Sequence, residues 1–215
     1  KIRALVESLN IAASAFTQPS SNVAQITNED TNKIINQKTN SGKDDDYYLE
    51  VSGRGIWLWP KDCMPLRIYI ERAKAGNGAS DEYITILKDA FRDWAVASKG
   101  IIDINFVDST GKADIICTWS RDSTKFKNSS EAANTRVYAK NGKLYKGQVE
   151  ILTISSEDSR PITSNQARAT SLHEVGHILG LTGHSNNLND IMYISANLKD
   201  SWANLSYRDI NTLLR

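Results

Sequence analysis

Residues 173–184 read HEVGHILGLTGH, and the histidines in this stretch, His173, His177 and His184, are the only three in a chain of 215 residues. Histidines that merely satisfy a core have no reason to gather so closely. On a helix, positions i and i+4 share a face, so His173 and His177 can aim their imidazoles at one metal ion. Glu174 follows the first histidine and can reach a water on that metal without ligating it. A straight helix supplies no third ligand from the same face a turn later. Gly180 permits the change of direction that brings His184 back to the metal. Three protein ligands with the fourth position open is the arrangement of a catalytic zinc ion, as opposed to a structural one. Asp190 is the alternative third ligand, since carboxylates also complete such sites.

Outward from this stretch, Thr163 and Gln166 have the spacing of a capping box, and the pattern predicts a helix from about Asn165 to Leu179 that stops at Gly180. A short helix is expected after Leu205. Upstream, Asn141-Gly142 is a type I′ turn signal, which predicts a hairpin between Thr135 and Ile154. Leu66–Ile70 (LRIYI) alternates as a half-buried strand does, and Ile101–Val107 and Ala113–Trp119 are further strand candidates. Between them, Ile84, Leu87, Phe91 and Trp94 form the apolar stripe of a helix over Tyr83–Ala97, with Ser80 as its N-cap. Lys1–Phe16 reads as a short helix. From about Thr17 to Asp46 large apolar groups are scarce, so residues 1–45 read as an arm or linker, a possible remnant of a pro-segment, ahead of one α+β domain over 46–215. The acidic run Asp44–Asp46 reads as solvated, without the spacing of a calcium loop.

The composition excludes several classes. A formal charge of +1, from 26 basic and 25 acidic residues, leaves no electrostatic footprint for nucleic acid. No apolar run approaches the roughly 20 residues of a membrane span. Two cysteines, Cys63 and Cys117, rule out a four-cysteine zinc site and permit either one disulfide or two thiols.

The glycine and third histidine after the HExxH pentapeptide resemble the zinc motif of the metzincin metalloproteases, and within them the matrixins. Asn187–Tyr193 (NLNDIMY) resembles the matrixin approach to its Met-turn, with Met192 eight residues after His184. Leu205–Ile210 (LSYRDI) resembles the start of the matrixin C-terminal helix, and Ala113-Asp114-Ile115 with Trp119 a strand of the family's sheet. Closer still is the resemblance to matrixin-like peptidases of cyanobacteria, which share the Gly-His-Ser ending of the motif and a segment like Asp46-Tyr47-Tyr48. The chain departs from the family in three places. Gly183 stands where matrixins usually have the third histidine, and the ligand role passes to His184 because the spacing from it to Met192 is kept. No histidines remain for the family's structural zinc. Arg208 replaces the first acid of a pair whose second is Asp209, which puts the capture of a new N-terminus by that pair in doubt. Lys61–Pro65 (KDCMP) does not match the pattern by which a pro-segment cysteine blocks the zinc.

The resemblance implies a metzincin-like domain, with a twisted, mostly parallel mixed sheet, a long backing helix, an active-site helix and a C-terminal helix. It further implies a secreted, monomeric zinc endopeptidase acting on polypeptides, with one catalytic Zn²⁺ on His173, His177 and His184 and a zinc-bound water activated by Glu174. Met192 is then the floor of the site, and Tyr193, Ile194 and Ser195 help wall the substrate pocket. Calcium is left undecided. The strand near Thr135–Ala139 is either a substrate-pairing edge or an ordinary one. The rival readings are a silenced binding module on the same fold and a zinc hydrolase of a non-peptide bond.

Overall fold

Leu66 and Ile68 bury their side chains while Arg67 between them stays exposed, so this segment forms a strand packed on one face, β1 (Leu66–Ile70). The computed structural model describes residues 45–52, 57–126, 132–156, 158–194 and 201–215. The expected helix over Lys1–Phe16, the arm up to residue 44 and Ser195 lie outside them.

Four more strands complete the sheet: β2 (Ile104–Val107), β3 (Ile115–Ser120), β4 (Ala133–Lys140) and β5 (Lys143–Leu152). They lie in the order β2-β1-β3-β5-β4. β1 runs parallel to both β2 and β3, β3 runs parallel to β5, and only β4 is antiparallel to its neighbour. The hairpin turn is as expected, since Asn141 and Gly142 both take positive φ (52° and 74°). β2 starts three residues later than its apolar pattern suggests. Lys99 and Gly100 take positive φ and Ile102 N–H donates to Ser98 Oγ, so those residues are spent in turning the chain.

The parallel pair β1 and β2 is joined by a crossover through a helix. After α1 (Tyr48–Val51), the long helix α2 (Asp81–Ala97) begins at Ser80, whose Oγ accepts from Tyr83 N–H. Its stripe of Leu87, Ala90, Phe91 and Trp94 is fully buried with Leu66, Ile68, Ile115 and Ile151 of the sheet. The helix α3 (Ser164–Leu179) carries both capping-box bonds between Thr163 and Gln166 and ends at Gly180 with φ 114°. It is buried along most of its length, polar positions included, because neighbouring elements enclose it. Trp94 Nε1 donates to Leu172 O at 2.9 Å and Trp59 Nε1 to Ile178 O at 2.8 Å, which anchors α3 at two points. The last helix, α4 (Tyr207–Leu214), starts from a second capping box between Ser206 and Asp209. The architecture is the expected α+β one, with a five-stranded, mostly parallel sheet and four α-helices among the described residues. Among the described residues no helix is long and apolar enough to cross a membrane.

The two cysteines are free thiols, Cys117 inside the core on β3 and Cys63 partly exposed, so the disulfide alternative does not hold. Asp46 is not left to solvent. It accepts from Tyr48 N–H at 2.9 Å and pairs with Arg215 at 2.8 Å.

Candidate metal centre

Helix α3 places His173 and His177 one turn apart, and the chain beyond Gly180 folds back to bring His184 beside them. Ring centroids lie 4.7 Å apart for His173–His177, 5.0 Å for His177–His184 and 5.2 Å for His173–His184. One ligand nitrogen from each falls within 4.8 Å of the others. Tetrahedral zinc, with bonds of about 2.0–2.1 Å, brings its ligand nitrogens to roughly 3.3 Å from one another, and this triangle closes to that with small side-chain movements.

The ring faces are set by backbone. His173 Nδ1–H donates to Ile191 O at 2.8 Å, and His177 Nδ1–H donates to Leu181 O at 2.7 Å. A carbonyl only accepts, so the proton of each neutral ring sits on Nδ1 and leaves Nε2 as the metal-facing lone pair. The protein packed around His177, and next the neighbouring His173, hold its pKa down to about 3. The ring is therefore neutral, as a metal ligand has to be. Three imidazole nitrogens without a thiolate or carboxylate suit zinc among the common metals.

The displaced third histidine has a steric explanation. A Cβ on Gly183 would stand 2.7 Å from Glu50 O and 2.8 Å from Val51 Cα, so at this position the loop lies with its backbone against α1. Thr182 Oγ1 donates to Val51 O and Asn186 N–H to Glu50 Oε2, which seat the loop on either side. His184, one residue on, is the one that joins the group. Gly180 is required twice, for its left-handed φ and because a Cβ there would lie 2.3 Å from Trp57 O.

Met192 is completely buried beneath α3, and a Cβ on Gly176 would come within 2.4 Å of its Sδ. The turn that carries it is tied to the loop after the histidines by Ser185 N–H, which donates to Met192 O at 2.7 Å. Tyr193 and Ile194 follow at the surface, with Ile194 71% exposed. Asp190, the alternative ligand, is held elsewhere: it accepts from Ser185 Oγ (2.5 Å), Ser206 Oγ (3.2 Å) and Arg208 Nε (3.1 Å).

Sequence reasoning missed three features. Glu174, nine-tenths buried, accepts from Thr135 Oγ1 of strand β4 at 2.5 Å. Asp209, fully buried, accepts from Tyr47 OH, from Ile191 N–H at 3.0 Å and from Ser206 N–H at 2.6 Å. Tyr47 N–H also donates to Thr212 Oγ1 at 2.9 Å, so a residue from the start of the domain closes over the C-terminal helix. No local pattern announces contacts across 39, 162 and 165 residues. The one signal in the sequence is a threonine among the inward-facing apolar residues of β4.

A mostly parallel sheet is backed by long helices, with three imidazoles that could hold a metal ion converging where one helix ends, and together these define an α+β domain. The family model for matrixin matches residues 59–214, and the chain belongs to that family. Membership supports a zinc metallopeptidase and fits the three-histidine group. No curated protein matches the chain.

Proposed function

We propose that the protein is a zinc-dependent endopeptidase in which His173, His177 and His184 hold one zinc ion and Glu174 is the general base. The observation that carries the reading is the convergence of the three ligand nitrogens within 4.8 Å, one residue from a largely buried carboxylate. Zinc bound there supplies a Lewis acid that polarises a scissile carbonyl and acidifies a water. Glu174 takes that water's proton as the new carbon–oxygen bond forms. It then delivers the proton to the amide nitrogen as the carbon–nitrogen bond breaks, so one carboxylate acts first as base and then as acid. Met192, packed under Gly176, keeps α3 from shifting and so holds His173, Glu174 and His177 in register.

The polypeptide substrate follows from the sheet edge. β4 is the terminal strand of the described sheet, and its inner side meets α3 through Thr135. An extended chain can add to the outer side of β4 by main-chain hydrogen bonds. The pocket walls are assigned to Tyr193, Ile194 and Ser195, the residues that follow Met192 in the chain. A monomer acting outside the cytoplasm goes with the family, and cell fractionation and gel filtration check those two points.

Zinc content together with cleavage of casein tests the proposal. One zinc per chain is expected, with activity that o-phenanthroline removes and zinc restores. Glu174→Gln should keep the metal and lose on the order of 10²–10⁴ in kcat. His184→Ala should lose metal and activity together. Near-normal turnover by zinc-loaded Glu174→Gln would sink the assignment of the base.

A further inference from the structure

Strand β4 turns Ala133, Thr135, Val137 and Ala139 inward, and the three apolar members of that row pack against the core. A hydroxyl on such a face needs a partner. Thr135 has one in Glu174, with Oγ1 donating to Oε2 at 2.5 Å.

The helix alone does not orient this carboxylate. It fixes the backbone of Glu174, whereas the last torsion of a glutamate side chain is broad and roughly two-fold. Thr135 approaches from a different element, and its branched side chain is stiff at χ1. The strand is itself held by a ladder to β5 on both sides of this residue, Asn134↔Glu150 and Arg136↔Gln148. A rigid donor on a rigid strand selects one plane for the carboxylate.

We infer that Thr135 is a positioning residue: its hydroxyl sets the orientation from which Glu174 exchanges a proton with water and leaving amine. This role presupposes Glu174 as the base and adds the strand that holds it. Because β4 is also the edge along which an extended substrate would lie, the same strand aligns the scissile bond and the base that activates the attacking water.

Thr135→Val removes the hydroxyl with little change of shape or strand preference, and Thr135→Ser keeps it. With one zinc per chain in each variant, Thr135→Val should lower kcat about ten- to a hundredfold and leave KM within about twofold. Thr135→Ser should recover most of the loss. In metal-free protein, Thr135→Val should lower the melting midpoint when Glu174 is present and leave it unchanged in a Glu174→Ala background. A kcat for Thr135→Val within about twofold of wild type overturns the positioning role. Equal melting shifts in the two backgrounds overturn the contact itself. Absence of cleavage by the wild type overturns the endopeptidase reading and the role with it, whereas cleavage indifferent to Thr135→Val removes the role alone.

Discussion

Gly183→Ala is the sharpest test of why the third histidine sits one residue late. The glycine's φ lies outside the left-handed region, so alanine is not strained there and the effect is purely steric. The added Cβ would lie 2.7 Å from Glu50 O, 2.8 Å from Val51 Cα and 3.1 Å from Val51 O. All three are backbone atoms, and no rotamer change relieves them. Ordinary contact begins near 3.4 Å, so loop and helix α1 must separate by about 0.7 Å. Overpacking of this kind costs about 1–3 kcal/mol. His184 is the next residue and is carried with the loop, so zinc affinity should fall about 10- to 100-fold, the range for disturbed support around a ligand. Competition with a chromophoric chelator measures the affinity, and urea unfolding of the metal-free protein measures the stability. Gly111→Ala, where a Cβ meets nothing within 4 Å, is the matched control. Wild-type zinc affinity and an unchanged urea midpoint in Gly183→Ala would refute the account of the displaced ligand.

Asp190→Ala removes the buried carboxylate shared by Ser185, Ser206 and Arg208, so urea unfolding should show a loss of about 3 kcal/mol, while zinc stays at one per chain. Loss of the metal with the fold intact would restore Asp190 as a ligand. Tyr47→Phe removes a donor to a buried carboxylate and should cost about 1–3 kcal/mol, read in the same way. Burial raises Asp209's carboxyl above its ordinary 3.8, against the opposing bonds from Tyr47, Ser206 and Ile191. The folded state then holds that proton more tightly than the unfolded chain. The stability this contributes is full below 3.8 and is lost as pH rises through the raised value. Urea midpoints of wild type should therefore fall relative to Asp209→Asn from pH 3.8 upward, and parallel profiles would contradict the shift. Titration of the denatured protein with a thiol reagent should find both Cys63 and Cys117, and in the native protein Cys117 should not react, since burial pushes its thiol far up.

Much of the scaffold was legible because it rests on local signals. Thr163 with Gln166, Asn141 with Gly142, and Gly180 each act within a few residues, and each stands where the pattern placed it. Boundaries failed where a turn consumed apolar residues, as at Ile101 and Ile102 ahead of β2. The three-histidine group was legible for the same local reason, since two histidines share a helix and the third follows one loop later. Its surroundings were not. Thr135, Tyr47 and Asp209 act across more than a hundred residues or from another layer of the fold, and no spacing rule links a threonine on an edge strand to a glutamate on a helix. The disulfide alternative rested on a count of two, and the count says nothing about where Cys117 points once β3 becomes a central strand.

The orientation of the first two histidines depends on two carbonyls that belong to no helix or strand, Leu181 O and Ile191 O. A loop carbonyl can aim a ring only if the loop is itself held. The segment with Leu181 is held by Gly180 against Trp57 and by Thr182 and Gly183 against α1. The segment with Ile191 is held by Asp209, which takes the Ile191 N–H and is closed by Tyr47 OH. Both supports therefore reach residues 47–51, and Trp57 joins the first of them. A hydrogen-bonded chain links His173 through the Ile191 peptide to Asp209, which also accepts from Tyr47, and a steric one runs from Val51 through Gly183 to His184. The α1 segment is thus part of the candidate metal centre although none of its residues belongs to the three-histidine group, and changes there should register in zinc affinity before they register in the sheet.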